Sequence, residues 1–169
     1  MSNNLLYHGS IYEIISPADG NTKSPTTDFG DGFYLTEIRE QAEAWARRKY
    51  KSLRKYYPNA KAIVNVYELD RERVINDFKY KFFPTTTDEW LDFIKDCRNN
   101  EEHYFDIVEG PMADDQIYFF VNDYLTGRIT REQFWEKALF NKYTHQVMIR
   151  NDALRCLKFI NSYEVDIDE

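Results

Sequence analysis

The chain has little of what announces a familiar chemistry. Only two cysteines, Cys97 and Cys156, occur in 169 residues, and they stand apart with neither metal-binding nor redox spacing, as small apolar residues of an interior would. Three histidines, His8, His103 and His145, are scattered without a clustered carboxylate pattern, so no metal site is expected. No apolar run approaches the ~18 residues of a membrane span, and mean hydropathy is −0.68. No Gly-x-Gly-x-x-Gly follows a strand pattern, which speaks against a Rossmann site. The first residues, Met1-Ser2-Asn3-Asn4, carry neither a basic leader nor an apolar signal core, so a cytoplasmic protein without membrane association is the expectation.

What the chain has instead is aromatic side chains, 17% of all residues, in a length that fits one domain. The single domain is expected over 1–169, with a core of about 4–161 and an acidic tail, 162–169, that frays from Glu164 onward. A net charge of −7 argues mildly against broad nucleic-acid binding. Charge is uneven, however. Arg47, Arg48, Lys49, Lys51, Arg54, Lys55 and Lys61 crowd one segment, interleaved with Tyr50, Tyr56 and Tyr57. This segment reads either as a solvated helix face or as a basic patch with aromatic platforms for a phosphate-bearing target or an acidic partner.

Local patterns predict alternating strands and helices in irregular order. Strands are expected over 5–8, 33–35, 63–69, 104–108, 145–149 and 157–160. Helices are expected over 37–57, behind a Thr86 to Glu89 capping box, over about 114–125 with Gly127 as terminator, and behind a Thr130 to Gln133 capping box. Thr36 is the expected N-cap of the first helix. Residues 16–31 read as a long loop over a site, and 151–154 as a short helical turn. Irregular interleaving favours α+β over a doubly wound sheet.

Two short stretches stand out as a candidate site. Tyr7-His8-Gly9-Ser10 ends the first strand. Asp28-Phe29-Gly30-Asp31-Gly32-Phe33-Tyr34-Leu35-Thr36 places two glycines in a tight turn before a strand that carries Tyr34. Asp28-Phe29-Gly30 also matches the metal-binding tripeptide of protein kinases, but no His-Arg-Asp loop or Val-Ala-x-Lys strand accompanies it and the chain is too short for that fold.

Together with Gln41-Ala42-x-x-Trp45-Ala46, Asp106-Ile107-Val108-Glu109-Gly110-Pro111-x-Ala113-Asp114-Asp115 and His145-Gln146-Val147, these stretches resemble a small bacterial family known as domain of unknown function 3990. The similarity runs over about residues 4–161. That family is grouped with ADP-ribosyltransferases of the diphtheria-toxin and poly-ADP-ribose-polymerase type. The resemblance implies two small antiparallel-rich sheets around an NAD cleft, with NAD as ADP-ribose donor and no metal. It implies that His8 binds a ribose hydroxyl, that the Gly9 backbone holds the carboxamide, and that Tyr34 stacks on nicotinamide. Tyr7, Ser10, Phe29, Gly30, Gly32 and Phe33 complete the implied dinucleotide contacts.

Gln146 stands where most of the superfamily has a glutamate that steadies the cationic ribose. Three consequences compete: slow turnover, compensation by Asp106, Asp114 or Asp115, or NAD binding without catalysis. The expected protein is thus an NAD-dependent ADP-ribosyltransferase of a toxin-antitoxin or phage-defence pair, with a small neutralising antitoxin as partner. Its macromolecular target, protein or nucleic acid, would be met by Arg47, Arg48, Lys49, Lys51, Arg54 and Lys55. The alternatives are an NAD glycohydrolase, a silent NAD or ADP-ribose binder, and a nucleic-acid-contacting protein that uses 47–61.

Overall fold

A computed structural model describes residues 4–18, 28–113, 115–138 and 143–168. Three antiparallel strands form the first sheet: β1 (Leu5–Ser10), β3 (Ile63–Leu69) and β7 (Leu157–Glu164), in the order β1-β3-β7. A second sheet has the order β2-β6-β5-β4, from β2 (Phe33–Leu35), β4 (Tyr80–Phe82), β5 (Ile107–Gly110) and β6 (Gln146–Ile149). All its pairs are antiparallel except β4 with β5. The fold is mixed α+β, as the irregular interleaving implied, and it has two sheets, as the family resemblance implied.

Strand alternation decides the packing. Leu6, Tyr67 and Leu69 of the first sheet meet Phe33, Leu35, Ile107, Val147 and Ile149 of the second in one buried cluster. The opposite face of the first sheet presents Val64, Val66 and Tyr7 to Ala42 and Ala46 of α1 (Arg39–Leu53). The opposite face of the second presents Val108 and Met148 to α3 (Asp88–Arg98), α4 (Asp115–Leu125) and α5 (Arg131–Ala138), through Trp90, Ile94, Val121 and Phe134. Two alanines one turn apart on α1 leave no bulk between helix and sheet, so a Cβ added to Gly9 would stand 2.3 Å from the Ala42 carbonyl oxygen. Gly9 is required by that close approach.

The edges of the two sheets touch. Tyr7 of β1 and Thr36, just after β2, exchange both backbone hydrogen bonds, at 2.8 and 2.9 Å. This bridge makes a seam between β1 and β2, and the candidate residues stand along it.

Several expected boundaries move. The Thr36 hydroxyl accepts from the Ile38 N–H at 3.0 Å, but the helix begins at Arg39 and its N-cap position is Ile38, because Thr36 is held in the interstrand bridge. That helix stops at Leu53 rather than 57, where its residues become exposed and no apolar face remains to hold it on the sheet. The Thr130–Gln133 capping box forms reciprocally, at 2.8 and 3.2 Å. At the other box only Thr87 caps, accepting from Trp90 N–H at 3.2 Å. Gly127 ends α4 with a φ of 74°.

The acidic end does not fray at Glu164. β7 runs on to that residue, Val165 is buried and donates its N–H to Ala62 at 2.7 Å, and Lys61 pairs with Glu164. Two elements were not anticipated, α2 (Arg71–Asp77), capped by Asp70, and β4. Each is too short for its periodicity to stand out.

Candidate functional site

His8 is set by β1 into the interface between the sheets, only 2% exposed, with its ring stacked on Phe33 at 4.2 Å. Its Nδ1 lies 2.6 Å from the Tyr34 carbonyl oxygen. A carbonyl only accepts, so Nδ1 carries the proton and Nε2 presents a lone pair. Burial, and then the nearby Lys49 charge, push the His8 pKa down to about 3 against the pull of that carbonyl. The ring is therefore uncharged at neutral pH. Nε2 is buried without a hydrogen-bond partner among the described residues, a condition that costs free energy unless something fills it.

Tyr34, at the centre of β2, is half-buried. Its hydroxyl donates to the Gly30 carbonyl and accepts from Phe29 N–H at 3.0 Å, pinning the turn that precedes the strand. Gly30 takes a φ of 85°, the left-handed conformation the turn needs, and sits beneath the His103 ring. Gly32 is closed over by Met148, since an added Cβ would stand 2.4 Å from its sulfur. Gln146, the first residue of β6, donates its side-chain amide to Asp28 Oδ2 at 3.2 Å. Its Oε1 accepts nothing among the described residues. Asp28 in turn forms a buried ion pair with Arg98 and accepts from Ala113 N–H at 3.1 Å.

The seam thus brings His8, Tyr34 and Gln146 onto neighbouring strands, but not onto one face. Tyr34 pairs with Met148, so Tyr34 and Gln146 share the face turned toward α3 and α4. His8 lies on the face turned toward the first sheet. Phe29 and Phe33 are fully buried and stand behind the site as packing. Tyr7 packs toward α1, and Ser10 is buried at the end of β1.

Among the proposed compensating carboxylates, Asp106 precedes β5 at the end away from Gln146, which pairs with Gly110. Four residue steps of extended chain, about 13 Å, separate Asp106 from Gly110. Asp106 accepts there from Lys79 N–H at 3.0 Å. Asp114 lies outside the described residues, as does the side chain of Asp115. Among the described residues the carboxylate that meets Gln146 is Asp28.

The basic segment is also rearranged. Lys49 turns inward, donating its ammonium to the Gly9 carbonyl at 2.7 Å, and burial lowers its pKa to about 8. It is no part of an outward patch. Arg47 donates to the Asp166 carbonyl at 2.8 Å, and Arg54 lies over the Tyr50 ring. Lys51, Lys55, Tyr56 and Tyr57 remain exposed at the helix end.

A second buried polar group lies beside the seam. Glu109 of β5, 2% exposed, accepts a bidentate pair from Arg71 at 2.9 and 3.0 Å, a hydrogen bond from Tyr80 at 2.6 Å and another from His145 Nε2 at 2.8 Å. Burial pushes the Glu109 pKa up, but these donors outweigh it and hold it at about 2. His145 Nδ1 accepts from Glu37 N–H at 3.0 Å, so Nε2 carries the proton it gives to Glu109. Gln41 of α1 clamps the His145 backbone from both sides, at 2.9 and 3.1 Å. A glutamate between a valine and a glycine on an apolar strand was the one sequence signal for this cluster, because such a charge must find partners. Which partners it found was not legible.

These features define a mixed α+β domain whose two sheets abut edge to edge, with buried polar side chains at the junction. The chain belongs to the family described as Protein of unknown function (DUF3990), which matches it over residues 5–159. Among curated proteins it is similar to ceramide transfer proteins of Homo sapiens, Mus musculus and Cricetulus griseus, 31% identical over 101 residues. That stretch is 58% of this chain and 16 to 17% of each relative, so the chain spans a small fraction of the proteins it matches. Among the described residues no helix is long and apolar enough to cross a membrane.

Proposed function

We propose that the protein is an NAD-dependent ADP-ribosyltransferase that modifies a macromolecular target, with the seam as its dinucleotide site. The supporting observation is the unpartnered Nε2 of His8. An uncharged imidazole, held by its other nitrogen, is a fixed acceptor suited to a sugar hydroxyl, and a ribose supplies such a donor. NAD supplies an ADP-ribosyl group whose bond to nicotinamide breaks with positive charge gathering on the ribose.

His8 and the Tyr34–Gln146 pair lie on opposite faces of β2, so in this reading they contact separate parts of an extended dinucleotide. Tyr34 offers an aromatic face to the departing flat ring. Gln146 Oε1 offers an acceptor to a ribose hydroxyl. Asp28, held beside Gln146 by Arg98, orients that amide. A toxin of this kind in its own cytosol needs a neutralising partner, so a small antitoxin protein belongs to the proposal.

The test is transfer of label from NAD to macromolecules of a cell lysate, followed together with nicotinamide release. Transfer abolished in His8→Gln, with folding intact, supports the reading. Free ADP-ribose without a labelled target makes the protein a glycohydrolase. A second reading, a silent NAD or ADP-ribose binder, is favoured by the engagement of the Gln146 amide with an Asp28 already paired to Arg98, which brings no free negative charge to the ribose. Calorimetric binding without nicotinamide release is its signature.

A further inference from the structure

Lys49 presents a problem that its neighbours do not resolve. It leaves α1 to place an ammonium on the Gly9 carbonyl, in the backbone of the strand that carries His8. No carboxylate meets it among the described residues, and desolvation is what drives its pKa down to about 8. Three other cations beside the sheets have anionic partners, Arg71 with Glu109, Arg98 with Asp28 and Lys61 with Glu164, whereas Arg150 gives its guanidinium to the His103 carbonyl. An ammonium uses three donors and has given one to Gly9. One residue before Gly9 on the same strand, His8 Nε2 is a buried acceptor that lacks a donor among the described residues, and the Lys49 charge is felt at that ring. A single ligand that brings an anion and a hydroxyl together would satisfy both.

We infer that Lys49 is a phosphate-holding residue of the seam, and that with His8 it selects a phosphorylated ribose, phosphate to Nζ and hydroxyl to Nε2. This rests on the dinucleotide reading above and deepens it, placing the pyrophosphate at β1 between the two parts of the ligand. A neutral acceptor together with a cation that has no anionic partner among the described residues discriminates by chemistry: a nucleoside lacks the phosphate, and inorganic phosphate lacks the sugar hydroxyl. Lys49 is thereby excluded from the surface that meets the target.

The test is binding by the full chain, measured calorimetrically and by thermal shift, of ADP-ribose, ribose 5-phosphate, adenosine and inorganic phosphate. Wild type is expected to bind ADP-ribose and ribose 5-phosphate and to bind adenosine at least tenfold more weakly. Lys49→Met should lose at least tenfold in affinity for both phosphorylated ligands, lose its preference over adenosine, and melt at a higher temperature than wild type without ligand. Lys49→Gln, which keeps a donor for the Gly9 carbonyl, separates charge from strapping and should lose phosphate selectivity equally. Unchanged ADP-ribose affinity in a folded Lys49→Met or Lys49→Gln overturns the inference while leaving the transferase reading in place. Phosphoribose binding that depends on Lys49, with no binding of NAD and no nicotinamide release, retains it and removes the transferase reading. Absence of binding by every probe to folded wild type overturns both.

Discussion

Two buried polar groups flank the same seam and differ in one respect. Around Glu109 the carboxylate, the guanidinium of Arg71, the Tyr80 hydroxyl and His145 satisfy one another. Around His8, among the described residues, the acceptor Nε2 has no donor, and the Lys49 ammonium has the Gly9 carbonyl but no anion. Each cluster contains a histidine only a few per cent exposed. His145 has both ring nitrogens engaged, and His8 has one. A closed network fixes the positions of strands, whereas an open one retains binding capacity. The difference suggests a scaffold beside a site.

The sharpest way to break that contrast is to open the closed cluster. Glu109→Ala removes the buried carboxylate that Arg71, Tyr80 and His145 share, and stability to urea should fall by about 3–5 kcal/mol. If the loss is within ~0.5 kcal/mol, the cluster is no scaffold and the comparison fails.

The second test uses acid. The folded pKa of His8 lies below its unfolded value, so protons bind preferentially to the unfolded chain, and stability should fall as pH drops from about 6.5 through about 3. Glu109 adds a loss only lower, from about 4.5 through about 2. Urea midpoints between pH 6 and 5 therefore read His8 together with His103, whose pKa burial also lowers, and the His8→Gln variant separates the two. In His8→Gln that decline should flatten, and an unchanged slope would remove His8 as a buried uncharged group. Lys49 carries the same sign at higher pH: its charged form is also disfavoured in the fold, so free-protein stability should rise from about pH 8 to about 10.5.

Smaller effects come from backbone contacts at the seam. Gly9→Ala forces a methyl group into the Ala42 carbonyl and should cost about 1–3 kcal/mol, with α1 displaced from β1. Smallest is Tyr34→Phe, which removes two hydrogen bonds to the 28–30 turn and should cost about 1 kcal/mol while retaining the ring. Proteolytic sensitivity at that turn, compared with global stability, would separate local loosening from global unfolding.

Much of the frame was legible in local pattern. The alternation of Ile63 to Leu69 predicted β3 with its bounds, and the Thr130–Gln133 box and Gly127 marked the end of one helix and the start of the next. These signals are local, since a cap or a turn is satisfied within a few residues of its own chain. The candidate residues were legible only as types at strand ends. Tyr7 and Tyr34 could be read, but not the direction in which their rings point.

The amino-acid order by itself determined strand and helix segments, family membership and the presence of His8, Tyr34 and Gln146 near strand termini. Tertiary structure alone decided that His8 faces away from the other two, that Asp28 serves Gln146, that Glu109 is locked by Arg71, and that Lys49 turns in toward Gly9. The physical reason is range. Strand alternation and capping act over a few residues, whereas the partner of a buried polar atom is chosen by whichever distant segment the packed core brings within 3 Å.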